Sequence, residues 1–174
     1  MKKILVILLT IIVLMLFLWL QINVFNYYAL FGVIPNVGII LIATVSMYAG
    51  KNIGAVIGFF YGAVFDSCFE TFFGCYTLLF ILMGYAIGQI KGKFALDNKM
   101  SLPIIVAAST IIIELFNLIV LNFKQPSFTI DLLYVLKVLL LESTYNTFLT
   151  LLAYKPLMLF GDIINRSRRA YYEL

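Results

Sequence analysis

The sequence predicts an all-α integral membrane protein whose six transmembrane helices pack into one compact bundle. Composition is the first observation, since 64% of the 174 residues are hydrophobic, 11% are charged and the mean hydropathy is +1.08. Length is the second, because a chain of this size accommodates about six apolar segments of about 20 residues with short connections. These values exclude a soluble globular domain and leave too little chain for a domain outside the membrane. We therefore expect residues 1–174 to form a single membrane domain.

Six apolar segments follow one another along the chain and are the third observation. Their approximate bounds are residues 4–20, 33–49, 53–68, 74–90, 102–123 and 132–155. The first follows Lys2 and Lys3 and therefore resembles the start of a secretory signal peptide. It is longer than the usual signal core, and residues 21–26 offer no small-x-small cleavage site, so we expect it to remain as the first span. Trp19 near its end is typical of a membrane interface.

The second apolar segment opens with Pro35 and Asn36, which we expect in its first helical turn. Proline is tolerated there because the amide groups of a first turn lack partners within the helix anyway. Lys51 and Asn52 follow this segment and predict a very tight turn on the inner side of the membrane.

The third apolar segment carries three glycines four residues apart, Gly54, Gly58 and Gly62, and Asp66 occupies the next position of the series. Four-residue spacing keeps these positions close to one face of a helix. In water each glycine would cost about 1 kcal/mol relative to alanine, but in lipid glycines let a neighbouring backbone approach closely. The spacing predicts a docking face, and the carboxylate at its end needs a partner or water.

The fourth apolar segment begins at Gly74 and repeats the four-residue spacing with Gly84 and Gly88. The third and fourth segments are therefore expected to form a packed hairpin. Two uses of the glycine face stay open at this point. It packs internally against the glycines of the fourth segment, or it receives a helix of a partner protein.

The fifth and sixth apolar segments contain polar residues at helical spacing. Asn117 lies about one turn from Glu114, and Asn146 lies one turn from Glu142. Because these segments run in opposite directions, both carboxyl groups are expected in the outer half of the membrane, where we predict a polar cluster. Its predicted members are Asp66, Glu114, Asn117, Glu142 and Asn146, with Lys137 as a counter-charge. The cluster is either a substrate or ion pocket or, as we favour, a set of interhelical hydrogen bonds worth about 0.5–2 kcal/mol each.

Basic residues predict the orientation of the chain. Nine fall in predicted inner segments and only Lys124 falls in a predicted outer loop, so both termini are expected to be cytoplasmic. The nine are Lys2, Lys3, Lys51, Lys91, Lys93, Lys99, Arg166, Arg168 and Arg169. The net charge of +4 is thus an orientation signal and does not indicate nucleic-acid binding. Pro156 is expected to kink the end of the sixth segment, and the basic tail, residues 161–174, to contact anionic lipid.

The residue types present exclude most catalytic chemistry. The chain has no histidine, which removes serine-histidine triads and HExxH zinc sites, and it has no phosphate-binding loop or CxxC pair. We predict no catalytic residue, no cofactor and no metal. Cys68 and Cys75 flank the outer end of the hairpin, where a disulfide is conceivable, but two free thiols are favoured.

One block of the sequence resembles a known family. Pro35 and Asn36 open the second segment, the stretch Gly58-Phe-Phe-Tyr-Gly62-Ala-Val-Phe-Asp66 follows, and then come Gly74 and, eleven residues later, Tyr85. In order and spacing these residues resemble the bacterial rod shape-determining MreD family. The matching block runs from about residue 35 to residue 89, and the fifth and sixth segments agree only in hydropathy.

The resemblance implies a component of the peptidoglycan synthesis machinery that elongates the lateral wall. Proteins of this family are understood to bind MreC and to help couple MreB filaments to RodA and a class B penicillin-binding protein, without enzymatic activity. Whether the chain also forms a homo-oligomer stays open. The family fold is similar to the six-helix substrate-binding S component of energy-coupling factor transporters. Such a vitamin-transporter S component is therefore the alternative function.

Overall fold

The computed structural model describes residues 2–29, 31–69, 74–91, 100–124 and 132–172. In these ranges the chain is helical, with seven α-helices and one 3-10 turn, Phe25–Tyr27. The α-helices are α1 Lys2–Asn23, α2 Val37–Ala49, α3 Lys51–Phe69, α4 Cys75–Gln89, α5 Ser101–Lys124, α6 Leu132–Leu152 and α7 Tyr154–Tyr172. The predicted connections at residues 70–73, 92–99 and 125–131 lie outside the described residues.

The lengths and compositions of the helices confirm the membrane-protein class. Within the described residues, three segments are long and apolar enough to cross a membrane: Ile4–Tyr27, Ser101–Val120 and Leu133–Leu152. Two shorter helices, α2 and α4, are also apolar. At a rise of 1.5 Å per residue they measure about 20 and 22 Å, less than the hydrocarbon thickness of about 30 Å.

Helix α2 is the centre of the bundle. Every one of its 13 residues is buried, and it contacts all six other α-helices. A helix that is apolar on all sides, as the sequence Val37–Ala49 is, can be stable only when neighbours surround it. The remaining helices shield α2 and present their own outer faces, such as Ile4, Leu5 and Ile12 of α1, to the surroundings.

Two predicted turns differ from the structure. Pro35 and Asn36 precede α2 and are extended or capping residues, because Asn36 has φ −107° and ψ 90°. The connection between α2 and α3 is the single residue Gly50, whereas Lys51 and Asn52 already belong to α3. Gly50 has φ +86°, a conformation that disfavours any side chain, and its N–H donates to the Ser46 carbonyl at 2.8 Å.

The predicted basic tail is also corrected. Residues 154–172 form α7, which is separated from α6 by a break at Ala153. Pro156 stands in the first turn of α7, where its missing N–H costs nothing, so the predicted kink becomes the start of a new helix. The signal that could have identified α7 is the helical spacing of Leu157, Phe160 and Ile164, which are buried against the bundle.

Candidate functional site

The glycine face of α3 is filled by α4. A Cβ atom built at Gly58 would overlap the carbonyl group of Phe80, and one at Gly62 would lie 2.5 Å from the Cα atom of Thr77. A Cβ at Gly54 would overlap the Ser46 hydroxyl of α2 and would lie 2.6 Å from the carbonyl oxygen of Gly84. Because the partners in α4 are backbone atoms, they cannot move aside as a side chain could. The two helices are therefore antiparallel and in direct backbone contact along their length.

Gly84 and Gly88 complete the same contact from the other side. A Cβ at Gly84 would overlap the carbonyl group of Gly54, and one at Gly88 would meet the backbone between Gly50 and Lys51. Of the two alternatives for the glycine face, the structure shows internal packing. A partner helix could enter this groove only by displacing α4, so the face is not free in this structure.

Asp66 lies at the end of the glycine face and caps the N-terminus of α4. One carboxylate oxygen accepts hydrogen bonds from the N–H groups of Gly74 and Thr77, both at 2.9 Å, and from the Thr77 hydroxyl at 2.5 Å. The other accepts from the N–H of Tyr76 at 3.0 Å. The side chain is only 1% exposed. Amide groups at a helix N-terminus lack partners within the helix and carry partial positive charge, so a buried carboxylate is well compensated there.

The backbone conformation of Gly74 allows the first amide groups of α4 to reach the Asp66 carboxylate. It is the residue before α4 and has φ +107°, a left-handed conformation that favours glycine. Sequence spacing alone did not predict the contact, because Asp66 reaches partners 8 to 11 residues further along the chain. Cys68 and Cys75 flank this region as free thiols, the first exposed and the second half-buried.

Four aromatic rings form the interior of the hairpin next to the cap. Tyr61, Phe65, Tyr76 and Phe80 pack with ring centroids 4.9–6.3 Å apart. Tyr61 is fully buried, and its ring lies against Gly38 of α2, where a Cβ atom would overlap it. This cluster was not predicted from the sequence, although the pairs 61 and 65, and 76 and 80, have the i, i+4 spacing of neighbours on a helix.

Glu114 and Glu142 meet between α5 and α6. Their side chains are hydrogen-bonded to each other, and each also bonds to an asparagine of its own helix, Asn117 and Asn146 respectively. Glu114 is 8% exposed and Glu142 is 6% exposed.

Asn146 extends this contact to the centre of the bundle. Its side-chain oxygen accepts the N–H of Asn36 at 2.9 Å, and its side-chain amide donates to the Thr110 hydroxyl at 3.0 Å. The side chain is fully buried. One residue thus ties α6 to α5 and to the backbone that leads into α2.

The polar cluster has fewer members than the sequence predicted. All four predicted polar residues of α5 and α6 are brought together, but Asp66 is not among them. Its hydrogen bonds go to α4, and α3 has no contact with α5 or α6 in the described residues. Lys137 is exposed, so it is not the counter-charge of the buried pair. The prediction was wrong on these two because a shared depth in the membrane does not fix a shared direction around the bundle.

Gln21 is a structural residue that the sequence analysis missed. It was expected just beyond the first span, residues 4–20, but it is the last buried residue of α1 and only 4% exposed. Its side-chain amide donates to the Pro35 carbonyl at 3.0 Å, and its oxygen accepts the N–H of Val37 at 2.9 Å. Together with Asn146, it provides hydrogen-bond partners for the backbone of Pro35, Asn36 and Val37 at the start of α2, where the first N–H groups of a helix have no partner within the helix.

Tyr85 and Lys91 lie near the other end of the hairpin. Tyr85 is 40% exposed, and the Lys51 amino group lies 5.5 Å from its ring centroid, in the range of a cation-π contact. The Lys91 amino group donates to the Tyr48 carbonyl at the C-terminus of α2. Both basic residues therefore lie at the same end of the bundle as the Gly50 turn.

A family model described as rod shape-determining protein MreD matches residues 1–160 of the chain. No curated protein and no solved structure matches the chain.

Proposed function

Because this chain belongs to the rod shape-determining protein MreD family, we propose that it is a non-enzymatic membrane scaffold of the cell-elongation machinery. In this role it binds MreC directly and links MreB to the wall synthases RodA and a class B penicillin-binding protein. Membership of the family makes it a membrane protein that determines rod shape. The individual partners are our proposal.

The proposal includes a topology of six spans, α1 to α6, in the bacterial cytoplasmic membrane. Three of them have the length and composition of spans, and two more are apolar. Helix α3 completes the set of six spans. Its backbone contacts α4 from Gly54 to Gly62, so the two helices must lie at the same depth in the membrane. The excess of basic residues at the Gly50 end of the bundle supports cytoplasmic termini. We also propose a helix arrangement similar to that of energy-coupling factor S components.

One observation favours a scaffold role over a ligand-binding role. The ionisable side chains buried in the bundle, Glu114, Glu142 and Asp66, are bonded to other side chains or to backbone groups of neighbouring helices. Among the described residues, the Oδ1 atom of Asn36, the Oγ atom of Ser46 and the Tyr61 hydroxyl are buried without a hydrogen-bond partner. Sites for a charged substrate usually include ionisable side chains that the ligand must satisfy, whereas here those side chains join helices. Partner contacts are then made through outer helix faces and short loops.

Recovery of bound molecules from native membranes tests the proposal. The tagged chain is extracted in a gentle detergent or nanodisc-forming polymer, and both proteins and small molecules are identified by mass spectrometry. We expect a single-span MreC-like protein and no vitamin. A vitamin recovered together with ATP-binding subunits would contradict the scaffold and support the S component.

The same experiment on Asp66→Ala tests whether the capped end of the hairpin takes part in the complex. We expect less MreC-like protein than wild type, because α4 loses the acceptor for its first amide groups. Ser67→Ala is the matched control, since Ser67 is exposed and its hydroxyl donates to the Ala63 carbonyl of its own helix. Unchanged recovery with a correctly inserted Asp66→Ala variant would count against the role of this end.

A further inference from the structure

Helix α7 has one face that packs on the bundle. Its buried residues are Leu157, Phe160, Gly161 and Ile164. The ring of Tyr48 in α2 lies directly on Gly161, where a Cβ atom would overlap it. The Tyr48 hydroxyl also contacts the sulfur of Met158 at 2.6 Å. This face is therefore fixed to the C-terminal end of α2, next to the Gly50 turn.

The opposite face of α7 combines exposed cations with exposed apolar side chains. Lys155, Leu159, Ile163 and Arg166 form one stripe, because positions i, i+4, i+8 and i+11 lie within about 80° of one another on a helix. Leu159 is 67% exposed and Ile163 is 43% exposed. Apolar side chains this exposed would be unfavourable in water and are accounted for by an apolar surface alongside them.

The charge of α7 indicates which kind of surface lies against the exposed stripe. Tyr154–Tyr172 contains four basic residues, Lys155, Arg166, Arg168 and Arg169, against one acidic residue, Asp162. The helix is too polar to be among the candidate spans of the described residues. A polar helix with one apolar, cation-flanked face is the pattern of helices that lie in the plane of a membrane interface. Anionic headgroups complement its charge.

We infer that α7 lies along the cytoplasmic membrane interface, where Leu159 and Ile163 enter the acyl boundary and Lys155 and Arg166 bind anionic lipid headgroups. The inference takes only the choice of leaflet from the proposed function. In this position α7 couples the bundle to the membrane surface through its contact with α2. The occupant of the exposed stripe is the lipid surface, not a protein.

Depth-dependent fluorescence quenching tests the position of α7. The chain has a single tryptophan, so Trp19→Phe with Leu159→Trp gives one reporter on the exposed stripe. The full chain is reconstituted in vesicles of phosphatidylcholine and phosphatidylglycerol that contain lipids brominated near the glycerol end or near the terminal methyl group of the acyl chain. We expect stronger quenching by the shallow bromines. Trp19→Phe with Ile112→Trp, on the exposed side of α5, is the control and should be quenched more by the deep bromines.

The charges are tested by native mass spectrometry of bound lipid. We expect Lys155→Gln with Arg166→Gln to lower the preference for phosphatidylglycerol over phosphatidylcholine by about five-fold for each cation removed. Lys51→Gln with Lys137→Gln removes two exposed cations outside α7 and should retain more of the preference.

Two outcomes would overturn the inference. One is a Leu159→Trp reporter that neither bromine position quenches while the Ile112→Trp control is quenched, which would leave the stripe for a protein partner. The other is an equal loss of lipid preference in both double variants. Both measurements use the purified chain without partners, so they are independent of whether MreC binds.

Discussion

The two helix pairs α3–α4 and α5–α6 are joined by different kinds of contact. In α3–α4 the backbones touch at glycines, and the buried charge of Asp66 is held by amide groups of a helix terminus. Neither α5 nor α6 contains a glycine, and side-chain hydrogen bonds of Glu114, Glu142 and Asn146 join that pair. Contact between backbones depends on the absence of a Cβ atom, whereas a side-chain bond depends on polarity. The first pair should therefore be sensitive to size and the second to hydrogen-bonding capacity.

The largest expected effect is the loss of backbone contact in the hairpin. Gly58→Leu places a branched side chain against the Phe80 carbonyl, which cannot move without separating α3 from α4. We expect destabilisation by about 3 kcal/mol or more, measured by steric trapping or denaturant titration in bicelles. Ala86→Leu is the matched control, because Ala86 is exposed on α4. Equal stability of the two variants would show that the contact between α3 and α4 does not depend on side-chain size.

The second effect concerns the cap. Asp66→Ala leaves two buried N–H groups, one half-buried N–H group and the Thr77 hydroxyl without their acceptor, and we expect a loss of about 3 kcal/mol. Asp66→Asn keeps one acceptor oxygen and should lose about half as much. Hydrogen exchange at the amides of Tyr76 and Thr77 should accelerate in both. Unchanged exchange in Asp66→Ala would show that the cap does not stabilise α4.

The third effect should separate polarity from size in α5–α6. Glu142→Gln can still donate to Glu114 and accept from Asn146, so we expect a change below about 1 kcal/mol. Glu142→Leu has similar volume but leaves the buried Glu114 carboxyl without this partner, at a cost of about 2 kcal/mol. Thermal unfolding in detergent compares them. A larger loss in Gln than in Leu would mean that shape and not hydrogen bonding joins this pair.

The smallest effect is at the start of α2. Gln21→Ala removes the side chain that pairs with Pro35 and Val37, and we expect a loss of about 1 kcal/mol, since one donor and one acceptor become unpaired. Gln89→Ala, at an exposed position of α4, is the control. If both variants unfold at the same temperature, Gln21 does not hold the entry to α2.

The sequence predicted contacts that follow helical spacing. Gly54, Gly58 and Gly62 opposite Gly84 and Gly88, and Glu114 with Asn117 or Glu142 with Asn146, all lie at intervals of three or four residues. Such intervals place residues on one face whatever the tertiary structure. The bounds of the apolar segments were likewise close to those of α3, α4 and α5, because in lipid the apolar run and the helix coincide.

Contacts between elements at unrelated positions could not be predicted in this way. The bonds of Gln21 to Pro35 and of Asn146 to Asn36 depend on how α1 and α6 are placed around α2. Asp66 was assigned to the wrong cluster for the same reason. Helix α7 was missed for a different reason. Its basic residues were interpreted by their charge alone, and the helical spacing of its buried apolar residues was not considered.

In this structure the glycine face of α3 is filled by α4 of the same chain. Gly58→Ala adds only a Cβ atom, so it tests this packing when unfolding and partner recovery are measured on the same preparations. We predict lower stability, with MreC-like protein recovered in proportion to the folded fraction. Wild-type stability with lost recovery of that protein would contradict the claim and identify the face as a partner groove.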